Sequence, residues 1–238
     1  PVPMEWYTKY GVRKYGFHGT SHRYITGAMQ EKLGKENVNL IICHIGSGAS
    51  ISAIKDGKSY DTTMGLTALD GLVMGTRSGS IDPSIIEYVC KETDKTVGEV
   101  TTALNKQSGF LGIAGVSDCR DVESLAKEGN ENALLALEMY SDRIAKYIAD
   151  YYLELDGKVD AIVFTAGVGE NGFAMRSAIV KKLNCIGICL DEDFNSKVAS
   201  FKDIKEGKIS SNDSKVDVYV VPTDEEVMII RDTYELVK

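Results

Sequence analysis

Apolar positions along the chain change period from segment to segment, and each period names an element. Tyr24, Ile25, Ala28, Met29 and Leu33 recur three and four residues apart, so 20–33 predicts an amphipathic helix with Thr20 or Ser21 at its start. Residues 39–44 (NLIICH) instead hold an unbroken apolar run, 40–43, between Asn39 and His44, the pattern of a strand buried on both faces. Ala49–Lys55 and Lys58–Thr62 flank Asp56-Gly57, a pair that accepts positive φ and predicts a tight hairpin. Asp82-Pro83 opens a helix to about residue 91, and Thr96 with Glu99 forms a capping box for a helix to residue 106. A long helix is predicted over 131–155, with Leu134, Leu137, Ile144, Tyr147, Ile148 and Tyr151 on its buried face. Residues 161–165 and 216–221 read as strands, Asn171 opens a helix to about Leu183, and 224–237 is the last helix. The whole reads as α/β containing a hairpin, not an alternating βαβ wheel.

Composition narrows the function classes. With 27 Lys and Arg against 35 Asp and Glu the net charge is −8, which argues against non-specific binding to nucleic acid or to an anionic membrane. No apolar run approaches the ~20 residues that span a bilayer. The five cysteines (43, 90, 119, 185 and 189) form no C-x-x-C pair and have no His near the closest two, so they read as thiols of a reducing, cytoplasmic compartment.

Candidate chemistry gathers where glycine gathers. His18 and His22 stand four apart at the mouth of a predicted helix, a spacing that fits an anion donor, a structural cap or a pair of metal ligands. His44 ends a strand that runs into Gly46-Ser47-Gly48, whose successive amides can form an anion nest. Arg77 sits between Gly75 and Gly79, where a guanidinium can clamp a carboxylate or phosphate, or simply face solvent. Gly167, Val168, Gly169 and Asn171 follow a strand directly, a strand–turn–helix layout suited to a nucleotide. Glu225 and its acidic neighbours begin the last helix, where they favour the helix dipole or hold Mg²⁺.

Six ordered stretches carry a resemblance: YGFHGTSH (15–22), CHIGSGAS (43–50), DTTMGLTALDGLVMGTRSGSIDP (61–83), SGFLGIAGVSDCRDVE (108–123), FTAGVGEN (164–171) and VPTDEEVMIIRDT (221–233). Together they resemble the acetate kinases, over essentially the whole chain. The resemblance implies a ribonuclease-H-like, actin-like ATPase domain: α/β, a mixed sheet flanked by helices. It implies phosphoryl transfer between ATP and acetate, giving acetyl phosphate and ADP, with Mg²⁺ or Mn²⁺. It further implies that His18 donates to the transferring phosphoryl group, that Arg77 neutralises charge on it, and that Glu225 is the metal-associated carboxylate. Gly46, Ser47 and Gly48, beside His44, match the second phosphate loop. Asp118 and Arg120, flanking Cys119, match the ribose and adenine contacts, and Gly167, Val168, Gly169 and Asn171 the adenosine loop. Propionate or butyrate kinase, or a non-catalytic nucleotide-binding or dimerisation module, are the alternatives.

Some positions depart from the family pattern. Ser47 stands where the family usually has Asn, and Ser80 where it usually has Asp. The family's first phosphate loop, of the type N-x-G-S-S-S-x-K, is absent, and the first residue is Pro. The expectation is therefore a C-terminal nucleotide-binding and dimerisation domain (1–226), working as a homodimer, without its N-terminal domain. Residues 227–238 are expected to pack on that absent domain, leaving Val227, Met228, Ile229, Ile230 and Leu236 uncovered.

Overall fold

A computed structural model of the protein describes residues 1–238. In chain order the helices are α1 (Met4–Tyr10), α2 (Gly19–Leu33), α3 (Ser84–Thr93), α4 (Val97–Lys106), α5 (Gly109–Ala114), α6 (Cys119–Lys127), α7 (Glu131–Glu154), α8 (Ala166–Asn171), α9 (Phe173–Leu183), α10 (Glu192–Asn195) and α11 (Glu225–Val237). The strands are β1 (Leu40–Ile45), β2 (Ala49–Lys55), β3 (Lys58–Thr62), β4 (Ala161–Thr165), β5 (Gly207–Lys208) and β6 (Asp217–Val220). The chain divides into two compact units, one of Pro1–Phe17 with Thr63–Tyr140, the other of His18–Thr62 with Ser141–Lys238. No helix is long and apolar enough to cross a membrane.

The second unit carries every strand, in one mixed sheet of order β3-β2-β1-β4-β6-β5. β1, β2 and β3 form an antiparallel meander, β4 lies parallel to β1, β6 parallel to β4, and β5 antiparallel at the far edge. The β2–β3 turn places Asp56 and Gly57 at φ 50° and 74°, the left-handed pair whose twist matches the strands. Side chains alternate along a strand, so Leu40, Ile42 and His44 share one face of β1. α2 covers that face: its Ile25 and Met29 pack with Val38, Leu40, Ile42, Ile54, Ala161, Val163 and Val221. Toward the carboxyl end of β1 the same face turns polar without becoming exposed. His44 there pairs with Ser50 on one side and Thr165 on the other, and all three are buried.

The first unit is helical. Val100, Phe110, Val122, Ala133, Ala136 and Tyr140 are buried in it, with the Phe110 and Tyr140 rings 4.7 Å apart. On α7 the buried stripe is Ala133, Ala136, Tyr140, Ile144, Ile148 and Tyr151, continued by Leu155 just past its end, while Leu134 is 51% exposed. Helical phase, not side-chain size, selects the buried face, which displaces Leu134 from its expected place. The glycine-rich run of this unit is fixed by backbone hydrogen bonds. Phe110 N–H donates to Met74 O (3.0 Å), Leu111 N–H to Gly75 O (2.9 Å), and Ser108 N–H to Thr76 O (3.0 Å). Gly109 permits this approach: it has φ 60°, and a side chain there would meet Met74 O at 2.0 Å.

Two departures from the sequence reading bear on function. β4 passes into α8 with no intervening loop, and Asn171 ends that helix instead of opening the next. The break falls at Gly172, where a side chain would crowd Val168 O at 2.8 Å. α1, α5, α6, α10 and the two-residue β5 are short elements that periodicity does not announce.

Arg176 of α9 is 1% exposed and uses all five of its N–H bonds on neutral acceptors. Nε donates to Asn195 Oδ1 (2.8 Å), Nη1 to Gly169 O and Glu170 O (both 2.8 Å), and Nη2 to Asn195 O (3.0 Å) and Val198 O (2.8 Å). Burial lowers its pKa to about 10, so it remains a cation at neutral pH. It ties the end of α8 to α10 and the turn beyond. Lysine offers three donors from one point and cannot reproduce a planar fork. Arg176→Lys is therefore expected to lower stability by about 3 kcal/mol, read from urea unfolding at constant m-value.

Candidate functional site

Three parallel strands of the second unit end at one edge, and each delivers a candidate segment there. β1 leads through His44 into Gly46-Ser47-Gly48, a turn closed by Gly46 N–H donating to Gly48 O at 3.1 Å. β4 leads into Ala166 and α8, which holds Gly167, Val168, Gly169 and Asn171. β6 leads to Thr223, Asp224 and Glu225. A side chain at Gly46 would come within 3.8 Å of Ala166 Cβ, and one at Gly169 within 3.5 Å of Cys43 O, so the first two segments lie side by side. The carboxyl edge of parallel strands is where α/β sheets bind ligands.

Glu170 joins this edge together, a role the motif reading did not assign to it. Its Oε1 accepts from Ala166 N–H (2.9 Å) and from Thr223 N–H (3.2 Å). Ala166 has φ 64°, a left-handed conformation that costs a non-glycine residue about 1 kcal/mol. The carboxylate holds the strained amide in place. An acid five residues beyond a strand end was the available signal, and it was not distinctive. Asn171 is also engaged internally: Nδ2 donates to Gly167 O (3.0 Å), and Oδ1 accepts from Ser200 N–H (2.9 Å) and Ser200 Oγ (2.7 Å).

All three histidines of the chain meet beside this edge. His18 precedes α2 in a left-handed conformation, φ 59°, and its ring stacks on His44 at 4.1 Å and 17°. Its Nδ1 lies 2.9 Å from Ser50 Oγ, and His22 Nε2 lies 2.8 Å from the same oxygen. His44 Nδ1 lies 2.8 Å from Ser21 Oγ, which in turn lies 2.8 Å from Thr223 Oγ1. His18 and His22 thus converge on a serine rather than on a common metal position. Burial, reinforced by the neighbouring imidazoles, lowers the pKa of His22 to about 3, and burial with His18 beside it does the same for His44.

Glu225 is exposed in the first turn of α11, while Asp224 caps that helix by accepting from Val227 N–H at 2.9 Å. No group of three or more His, Cys, Asp or Glu is placed to hold a metal ion. A single exposed carboxylate fits Mg²⁺ when phosphate oxygens and water complete the shell.

Arg77 and residues 118–120 belong to the first unit. Arg77 Nη1 donates to Ala68 O at 2.9 Å and meets no carboxylate. The backbone bonds that pin residues 74–76 make its loop a fixed platform. Ser80 Oγ donates to Asp70 Oδ1 at 2.6 Å. Asp118 caps α6 and pairs with Arg120, Nη2 to Oδ2 at 2.6 Å, and that hydrogen-bonded guanidinium holds its carboxyl down at about 2. Cys119 between them is buried, which raises its thiol to about 12.

A model of the Acetokinase family matches residues 1–231. Acetate kinase of Finegoldia magna is 50% identical over 238 residues, covering 100% of this chain and 59% of that protein. An acetate kinase of Geobacillus sp. is 52% identical over 99% of this chain and 58% of its own length. Among solved structures, Porphyromonas gingivalis acetate kinase superposes with a TM-score of 0.93 at 44% identity, covering 100% of this chain and 59% of that one. A propionate kinase from Francisella tularensis gives 0.90 at 46% identity, covering 96% and 57%. The fold is the α/β fold of the actin-like ATPases. The chain spans about 59% of the length of the curated relatives it matches.

The buried imidazoles make stability depend on pH. His22 and His44 titrate at about 3 when folded and near 6.5 when unfolded, so the unfolded chain binds more protons between those values. Stability from these groups is complete above pH 6.5 and falls as pH drops through that window, by up to about 1.4 kcal/mol per unit for each ring. The urea midpoint is expected to fall between pH 7 and pH 5, and His22→Gln to flatten that slope. A midpoint constant over that range would contradict it.

Proposed function

The chain belongs to the acetokinase family, and on that premise we propose that it carries the nucleotide-binding part of an enzyme moving a phosphoryl group between ATP and acetate, giving acetyl phosphate and ADP. The observation that carries the proposal is the meeting of Gly46–Gly48, α8 and the Thr223–Glu225 segment at one sheet edge beside the histidine cluster. Phosphoryl transfer asks a protein mainly for positioning and charge neutralisation. In the proposed assignment the amides of Gly46, Ser47 and Gly48, with His44 behind them, face the phosphates. Gly167, Val168, Gly169 and Asn171 face adenosine, and Asp118, Cys119 and Arg120 the ribose and adenine.

His18 donates to the transferring group and Arg77 neutralises it. Glu225 would hold Mg²⁺ or Mn²⁺, which when bound supplies positive charge to the phosphates. The complete enzyme is proposed to be a cytoplasmic homodimer that includes an N-terminal domain preceding this chain. That domain would cover Ile229, Ile230 and Leu236 of α11, which are 59%, 66% and 87% exposed.

Hydroxamate detection of acetyl phosphate tests the activity. In a form carrying both domains, Arg77→Ala is expected to lower kcat by about 10²–10³-fold, and near-normal kcat would refute its role. Strong activity from residues 1–238 alone would refute the need for a further domain. Because the Francisella tularensis neighbour is a propionate kinase, kcat/KM is compared for acetate, propionate and butyrate. One methylene is worth only about 1–3 kcal/mol, so a preference for propionate would reassign the substrate and keep the chemistry. In calorimetry, saturable binding of ADP with Mg²⁺ by this chain is expected, and its absence at millimolar ADP would sink the nucleotide assignment.

A further inference from the structure

One atom breaks the symmetry of the histidine cluster. Ser50 Oγ stands between His18 Nδ1 (2.9 Å) and His22 Nε2 (2.8 Å), with one proton to give and no third partner. With both rings neutral, two arrangements satisfy it. In the first, Ser50 donates to His22 Nε2 and accepts from His18 Nδ1–H, so that His22 carries its proton on Nδ1. In the second, His22 Nε2–H donates to Ser50 and Ser50 donates to His18 Nδ1, so that His18 carries its proton on Nε2.

The unused nitrogen of His22 decides between them. His22 is 5% exposed, and its Nδ1 is buried with no hydrogen-bond partner. An N–H left there is an orphaned donor, among the least tolerated of buried groups, whereas a lone pair there is the lesser loss. The first arrangement puts the proton on that nitrogen and the second leaves a lone pair. From this geometry we propose that His22 and Ser50 are positioning residues, a one-way relay from His22 through Ser50 to His18 that keeps the His18 proton on Nε2.

The relay works on a ring already held in place. His18 is stacked on His44, which Ser21 and Thr223 anchor, and its backbone is left-handed. The purpose of the relay rests on the proposed phosphoryl transfer. An Nε2–H offers a hydrogen bond to an anionic phosphoryl oxygen, whereas an Nε2 lone pair repels it. A ring free to exchange tautomers spends part of its time in the repelling form. Fixing the tautomer before substrate arrives is preorganisation of a donor, the kind of effect that lowers a barrier.

The test reads tautomers directly, by long-range ¹H–¹⁵N correlation of the imidazole nitrogens in the 238-residue chain labelled with ¹⁵N-histidine, where only three rings give signals. His18 and His22 are expected to be Nε2–H tautomers, by about tenfold or more over the alternative for His22. Predominance of Nδ1–H at His18, or equal populations at either ring, would overturn the relay. Ser50→Ala is expected to reduce the His18 excess several-fold and Ser50→Thr, which keeps the hydroxyl, to restore it. An unchanged ratio in Ser50→Ala would remove Ser50 from the relay. The measurement needs no nucleotide, so a failed relay leaves the kinase reading standing. An intact relay in a chain that binds no ADP would instead count against that reading alone.

Discussion

The candidate site depends on one register. β1 is held between an antiparallel partner and a parallel one, with His44 opposite Ser50 on one side and Thr165 on the other. Because side chains alternate, a slip of one residue would carry His44 to the far face and turn Cys43 or Ile45 toward α2. Leu40 and Ile42 prevent this, since the same slip would take them away from Ile25 and Met29. The dry half of the strand thus sets the position of its polar half. His44 is placed by aliphatic packing some residues away, before its own hydrogen bonds are counted.

The polar half is costly and, apart from His22 Nδ1 and Thr165 Oγ1, well connected. Burying an imidazole or a hydroxyl without a partner loses the hydration it had in water. Here Ser21, Thr223 and His44 form one chain of contacts, and His18, Ser50 and His22 another. Glu170 and Arg176 apply the same economy to α8, one satisfying its first amide and the other its last carbonyls. A helix of six residues would be marginal alone. At this edge a carboxylate and a guanidinium fix it from both ends.

What could be read in the sequence was what is decided locally. The 20–33 stripe, the Asp56-Gly57 hairpin and the Thr96/Glu99 capping box each depend on a few neighbouring residues, and each stands where its pattern places it. Motif blocks likewise brought out His18, His44 and the glycine turns. The rest was settled by contacts distant in sequence. Ser50 matters because it lies opposite His44 and beneath α2, and His22 because its second nitrogen meets no acceptor; neither fact is written in a spacing. Leu134 was grouped with the apolar repeat by its spacing, but the buried stripe runs through Ala133, Ala136 and Tyr140 and leaves it exposed. Asn171 looked like a helix start, but the left-handed Ala166 let the helix begin five residues earlier. The expectation of one domain over 1–226 stands beside a chain whose contacts separate into two units, with His18 in one and Arg77 in the other.

The direct passage from β4 into α8 also bears on how this edge meets a ligand. A loop must usually give up many conformations when it closes on a small molecule, and that ordering weakens binding. Between Thr165 and Ala166 there is no loop to order: the last strand residue is followed at once by the first helical one. The entropy loss falls at folding, when the left-handed turn is set, and not at docking. For the anion proposed to dock at this edge, the surface has little slack and would select by fit rather than by adapting, its affinity spent on contact instead of on rearrangement.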